Sequence, residues 1–186
     1  MDEEKVKGTM LLDFVKMIRA NKNLDWDKYL KAEDWEVINS LVLPAKWYPV
    51  DVYKRCSYAA FVLLAGSNHE AARANGQSMG RRLFENTYKS IVQSGDPGRA
   101  LKQYVLVHSS FFNVGMLKFE MVGSGKAKIH LNYNNFHDNS NAAFCSQMHG
   151  LLESLVQAAG GKNQHVAISA KQWEGAPATV FEITWK

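Results

Sequence analysis

One change of period constrains this chain more than any other feature. Through about residue 110, apolar side chains recur at spacings of three and four; from Leu117 onward they alternate with polar ones. Helix faces repeat every 3.6 residues and strand faces every two, so helices should come first and hairpins after. Leu117, Phe119 and Met121 alternate with Lys118 and Glu120, Gly123-Ser124-Gly125 supplies a turn, and Ala127, Ile129, Leu131 and Tyr133 alternate with Lys128, His130 and Asn132. That is the pattern of a β-hairpin. An amphipathic helix follows, with Phe144, Met148, Leu151, Leu152, Leu155, Val156 and Ala159 on its apolar side, and Gly160-Gly161 ends it. A second hairpin is carried by Val166, Ile168 and Ala170, a turn at 174–177, and Phe181, Ile183 and Trp185. Hairpins pair locally and the helix must cover a face, so the order implies one antiparallel sheet. The expected class is α+β: a helical N-terminal half packed on an antiparallel sheet of two hairpins joined by a helix.

The helical half divides at its punctuation. Met10, Leu11, Phe14, Met17 and Ile18 mark a first helix stopped at Asn21 and Asn23. Asp34 is placed to cap a second, with Val37, Ile38, Leu41 and Val42 on its face and Pro44 beyond its end. Trp47-Tyr48-Pro49 is a stiff connector, and Asp51 is placed to cap a third helix carrying Val52, Cys56, Ala59, Ala60 and Leu63. A fourth helical stretch runs from about Asn68 to Val92, with breaks expected near Gly76 and Gly80. Asp96-Pro97 starts a fifth, since Asp accepts a free amide and Pro suits the first turn. Leu101, Val105, His108 and Phe112 lie along one side of it. The whole reads as a single domain over 1–186, with a helical subdomain at about 1–112 and an α/β subdomain at about 113–186.

Bulk properties exclude several classes. The 186 residues carry a net charge of +4 with no run of like charge, so no nucleic-acid partner is indicated. No apolar stretch approaches the ~20 residues of a membrane span, and the acidic start Met1-Asp2-Glu3-Glu4 lacks the apolar core of a signal peptide. Cys56 and Cys145 stand far apart in apolar helical contexts, which predicts buried reduced thiols and a cytoplasmic setting.

Three short motifs invite chemistry, and each has a plainer explanation. Gly76-Gln77-Ser78-Met79-Gly80 matches the nucleophile elbow, which requires a strand before the serine; here the preceding residues are helical, so close helix packing or a kink at small residues accounts for it. His69-Glu70-Ala71-Ala72-Arg73 opens like a zinc-protease helix but has arginine where the second imidazole is needed. Gly123-Ser124-Gly125-Lys126 lies between strands and lacks the helix N-terminus of a phosphate cradle. The asparagine-rich stretch 134–141 with His137 and Asp138 suits a ligand loop or ordinary turns and caps. His108 faces inward, as a core histidine or as a group that meets a ligand or heme iron. No catalytic residue and no metal site emerges.

The opening Lys7-Gly8-Thr9-Met10, the Tyr48-Pro49 connector, the helical half, and the hairpin, helix and hairpin closing in Phe181-Glu182-Ile183-Thr184-Trp185 resemble the heme-nitric-oxide/oxygen-binding (H-NOX) family. The layout most resembles a myxobacterial paralogous family of uncharacterised proteins. The wider superfamily includes vinyl-4-reductase-type ligand-binding domains and vesicle-tethering (TRAPP) subunits. What the resemblance implies about heme is tempered by two departures. Heme-binding relatives carry a histidine midway along the helix before the first strand, where this chain has the stretch from Arg99 to Lys102; they also carry a Tyr-x-Ser-x-Arg triad after the second strand, where this chain has Tyr133-Asn134-Asn135-Phe136-His137.

The resemblance and its departures lead to the expectation of a non-enzymatic signalling or protein-interaction module, without heme held in the usual way, and able to dimerise. Trp26, Trp35 and Trp47 are its candidate contact residues. The alternative is a sensor for an apolar small molecule or heme, with His108, Phe112, Phe119 and Cys145 as candidate lining residues. An enzyme ranks behind both.

Overall fold

The first helix starts directly after a short strand and stops at Asn21, whose Nδ2 donates to the Met17 carbonyl at 2.8 Å. The computed structural model describes residues 4–113, 116–132 and 139–186. These residues form two compact units: residues 1–68 with 109–114, and residues 69–108 with 115–186. The helices from His69 to His108, read with the helical half above, therefore cluster with the sheet.

The first unit holds strand β1 (Lys5–Lys7), helices α1 (Gly8–Ala20) and α2 (Ala32–Asn39), strand β2 (Trp47–Pro49) and helix α3 (Val50–Leu63). The strands pair antiparallel with Val6 opposite Tyr48, and Val6 also bridges Phe112. Sequence periodicity does not reveal these strands, because three residues are too few to show alternation. Asp34 lies in the first turn of α2 and not ahead of it; its Oδ2 accepts the Lys31 amide at 2.8 Å. Asp51 likewise falls inside the first turn of α3, behind Pro49. The core of this unit is Val6, Leu11, Val15, Ile18, Ile38, Tyr53 and Cys56, all buried. Phe112 was expected on the fifth helix, but that helix ends at His108. Phe112 instead packs edge-on against Tyr53 with ring centroids 5.4 Å apart.

The second unit holds α4 (His69–Arg82), a π-helical turn at Leu83–Thr87, α5 (Lys89–Val92), α6 (Pro97–His108), β3 (Met116–Gly123), β4 (Lys126–Asn132), α7 (Asn139–Ala158), β5 (His165–Ala170) and β6 (Thr179–Thr184). The α4 helix runs unbroken through Gly76 and Gly80; the irregularity comes later, at the π-helical turn. Asp96 caps α6 as its type suggests, its Oδ1 accepting the Arg99 amide at 3.1 Å. The sheet is antiparallel in the order β3-β4-β6-β5, so the last strand lies inside and joins the two hairpins. Its inner face presents Ala127, Ile129, Leu131, Phe181 and Ile183 to Leu152, Leu155 and Val156 of α7, all buried. Full burial of each large aliphatic side chain is worth about 1.5–3 kcal/mol, so this layer holds the unit together. The outer face is polar, with Lys128–Glu182 (2.9 Å) and His130–Glu120 (3.0 Å) pairs across strands.

Candidate functional site

The glycines of the elbow-like motif do structural work. Ser78 lies inside α4, where it accepts a hydrogen bond from Arg82 Nη1 at 3.1 Å, so the strand-to-helix turn that an elbow needs is not there. A Cβ on Gly76 would overlap the Gln147 carbonyl, one on Gly150 would overlap the Arg73 carbonyl, and one on Gly80 would stand 2.7 Å from Ser154 Cβ. Helices α4 and α7 thus cross backbone to backbone over glycine, which small residues four apart on one helix permit.

A polar cluster not apparent from sequence flanks this crossing. Arg73 reaches Glu153 with Nε (3.0 Å) and with Nη2, and Gln77 Nε2 donates to Glu153 at 2.9 Å. Burial pushes the Glu153 carboxyl up, but the hydrogen bonds from Arg73 and Gln77 outweigh it and hold the carboxyl below its usual range. His149 Nε2 is buried, stands 3.4 Å from Glu153 Oε1 and has no hydrogen-bond partner among the described residues; burial drives its pKa down against the pull of Glu153. Close by, His69 Nδ1 and Ser146 Oγ lie 2.8 Å apart. The Gly76-x-x-x-Gly80 spacing hints at this crossing; the cluster's own signal, Ser146, His149 and Glu153 at spacings of three and four on one side of α7, is obscured by the apolar residues that fill the rest of that helix. Among the described residues no group of three or more His, Cys, Asp or Glu side chains is arranged to hold a metal ion.

The four candidate lining residues divide between the units. Phe112 belongs to the first, as described. His108, Phe119 and Cys145 belong to the second. His108 is 5% exposed at the last position of α6, with its ring edge-on to Tyr104 at 6.1 Å; burial pushes its pKa down to about 4. Tyr104 in turn meets Phe84 at 6.2 Å. Cys145 is buried in the sheet–helix core, against which Phe119 packs, and burial pushes its thiol up to about 12.

Helix α6 tests the fit of heme. Its inner face is Ala100, Leu101, Tyr104 and His108, while Arg99 and Lys102 are exposed. Its one imidazole stands at the C-terminal end, and the middle of the helix offers an alkyl and a phenol. These residues do not fit a heme ligated from mid-helix. Positions 133–137, where relatives carry the propionate triad, lie outside the described residues, as does the 134–138 stretch with His137 and Asp138.

Of the three tryptophans expected as contact residues, Trp26 is buried, Trp35 half-buried and Trp47 exposed. Trp26 and Trp35 line a cleft of about 280 Å³ in the first unit, with Ile18, Lys22, Leu24 and Asp27. There Trp35 Nε1 donates to Asp27 Oδ1 at 2.7 Å.

The fold is that of an H-NOX domain. The S. oneidensis H-NOX protein in its Fe(II)NO ligation state matches 97% of this chain and 99% of its own length at a TM-score of 0.63, with 13% identity. The Fe(II) unliganded H-NOX protein from K. algicida matches 97% of this chain and 96% of its own at 0.64, with 9% identity. A T. Tengcongensis H-NOX variant matches 97% of each chain at 0.55, with 14% identity. At these identities the likeness defines the fold alone. The chain belongs to the family described as "Protein of unknown function (DUF2378)", which matches residues 34–186. No curated protein matches it.

Proposed function

We propose that this chain is a non-catalytic signalling or protein-interaction module of H-NOX fold that acts through a protein partner and does not depend on heme. The observation that carries this reading is the inner face of α6, closed by Leu101, Tyr104 and His108, with Phe84 packed on Tyr104. A side-chain-filled core leaves the fold as a scaffold for surfaces. An absorption spectrum of the purified protein before and after hemin addition, with a His108→Ala control, tests it. The expected spectrum is that of free hemin. A sharp Soret band that disappears in His108→Ala would instead make this a heme sensor with an unusual ligand position.

A second reading, a sensor for a small apolar molecule, draws on the cleft between Trp26 and Trp35, whose volume is near the lower end of small-molecule sites. Saturable quenching of tryptophan fluorescence by an apolar aromatic compound, abolished by Trp35→Ala, would favour it.

A further inference from the structure

The connection from α2 to β2 places large apolar side chains in water: Leu41 is 81% exposed, Leu43 48% and the adjoining Trp47 37%. Single exposed apolar residues are ordinary, but three within seven positions are not. The loop is not slack. Thr9 donates to the Pro44 carbonyl from both N and Oγ1 (3.1 Å each), Gly8 N donates to the Lys46 carbonyl (2.9 Å), Lys7 Nζ to the Ala45 carbonyl (3.0 Å), and Leu43 N to the Tyr48 hydroxyl (2.9 Å). Val42 and Tyr48 point inward and are buried. Gly8 has no Cβ because the Leu43 carbonyl fills that space. The fastening fixes the outward display of Leu41, Leu43 and Trp47.

The same place is a sheet edge. The bonds from Gly8 N to Lys46 O and from Val50 N to Glu4 O put residues 46, 48 and 50 in hydrogen-bonded register with β1. By alternation the Trp47 N–H and C=O face away from β1, and neither has a partner among the described residues. Pro49 ends the strand and has no N–H, so within β2 Trp47 alone offers an outward donor and acceptor, enough for one pair of main-chain bonds to an incoming segment.

Charge selects the occupant. Residues 40–49 contain no acidic side chain. Lys7 Nζ lies 4.5 Å from the Trp47 ring centre and Lys46 Nζ 5.5 Å from that of Tyr48. The flanking acids Glu4 and Asp51 are both turned to Lys54, at 3.7 and 3.3 Å. A second copy set face to face would bring lysines against lysines. We propose that this face docks an extended segment of a different protein, one whose apolar side chains are flanked by carboxylates and whose backbone pairs with Trp47 at the β2 edge; the proposal rests on the protein-interaction reading above. Main-chain pairing supplies register, the leucines and indole supply apolar contact, and the lysines reject basic or uncharged competitors.

The test uses the full chain and a fluorescent peptide of about ten residues alternating leucine and glutamate, read by polarisation. The expected result is saturable binding that weakens at least about tenfold in Leu41→Ser/Leu43→Ser and in Lys7→Gln/Lys46→Gln. It should also weaken on raising salt from about 50 to about 500 mM, and be missing for the peptide with lysine in place of glutamate. All four side chains reach solvent, and far-ultraviolet circular dichroism verifies that the variants fold. Absence of saturable binding, or binding indifferent to Leu41 and Leu43, overturns the proposal. A doubled mass by light scattering that Leu41→Ser/Leu43→Ser returns to monomer also overturns it, assigning the face to a second copy. Failure here with a blank hemin spectrum removes this surface and leaves the broader reading standing, whereas a His108-dependent Soret band removes the broader reading.

Discussion

A Cβ on Gly76 would lie 2.7 Å from the carbonyl carbon of Gln147 and nearer still to its oxygen, so the backbones of α4 and α7 touch at this point. No flexible side chain can yield there; the obstacle is main chain. Gly76→Ala must therefore push the helices apart and disturb the Arg73–Glu153 and Gln77–Glu153 bonds beside the crossing. We expect a loss of more than about 2 kcal/mol in urea unfolding. Gly123→Ala, where the added methyl meets nothing within 4 Å, should stay within about 0.5 kcal/mol.

Asp34 is fully buried and takes Arg55 on both oxygens, with Nε at 2.7 Å and Nη2 at 2.8 Å. Among the described residues, Asp34→Ala leaves the guanidinium hydrogen-bonded only to the exposed Glu33 carboxylate, and it also frees the Lys31 amide. Removing one partner of a buried pair costs about 3–5 kcal/mol. The denaturation midpoint of Asp34→Ala should fall accordingly, while Glu33→Ala should be nearly silent.

His108 makes stability depend on pH. Its folded pKa of about 4 lies below the ordinary 6.5 because burial penalises the imidazolium. Between those values the unfolded chain binds a proton that the folded chain refuses. The contribution is therefore complete above about pH 6.5 and drains away as the pH falls toward about 4, amounting to about 3 kcal/mol. Unfolding midpoints taken from pH 7 to 4 should fall more steeply in the wild type than in His108→Phe. Parallel slopes would refute the assignment.

Both cysteines should be inert. Cys56 and Cys145 are buried, and desolvation lifts each thiol to about 12. A thiolate-selective reagent at pH 8 should titrate almost nothing in the native protein and both thiols after denaturation. Rapid modification of either thiol in the folded chain would contradict this burial.

Much of the architecture was legible because it depends on local rules. The β3–β4 hairpin follows from the alternation about Gly123-Ser124-Gly125, the start of α6 from Asp96-Pro97, and the end of α7 from Gly160, which has the left-handed φ of +89°. The plain alternative for Gly76-x-x-x-Gly80, close helix packing, also held. The site was much less legible. Phe112 was grouped with His108 on a helical face because the periodicity ran on to residue 112, yet the helix stops at His108 and Phe112 joins the unit of Tyr53.

Sequence alone determined where helix gives way to strand, which residues turn the chain, and which faces are apolar. Each of these depends on neighbours a few positions away. Tertiary structure alone decided that Glu153 and Arg73, eighty positions apart, meet beside a glycine crossing, and that Trp26 is buried while Trp47 is displayed. It also decided that Leu41 and Leu43 face water on a loop pinned by Gly8 and Thr9. Those outcomes follow from which surfaces reach each other when the chain closes, a matter of long-range excluded volume and desolvation that no local pattern encodes.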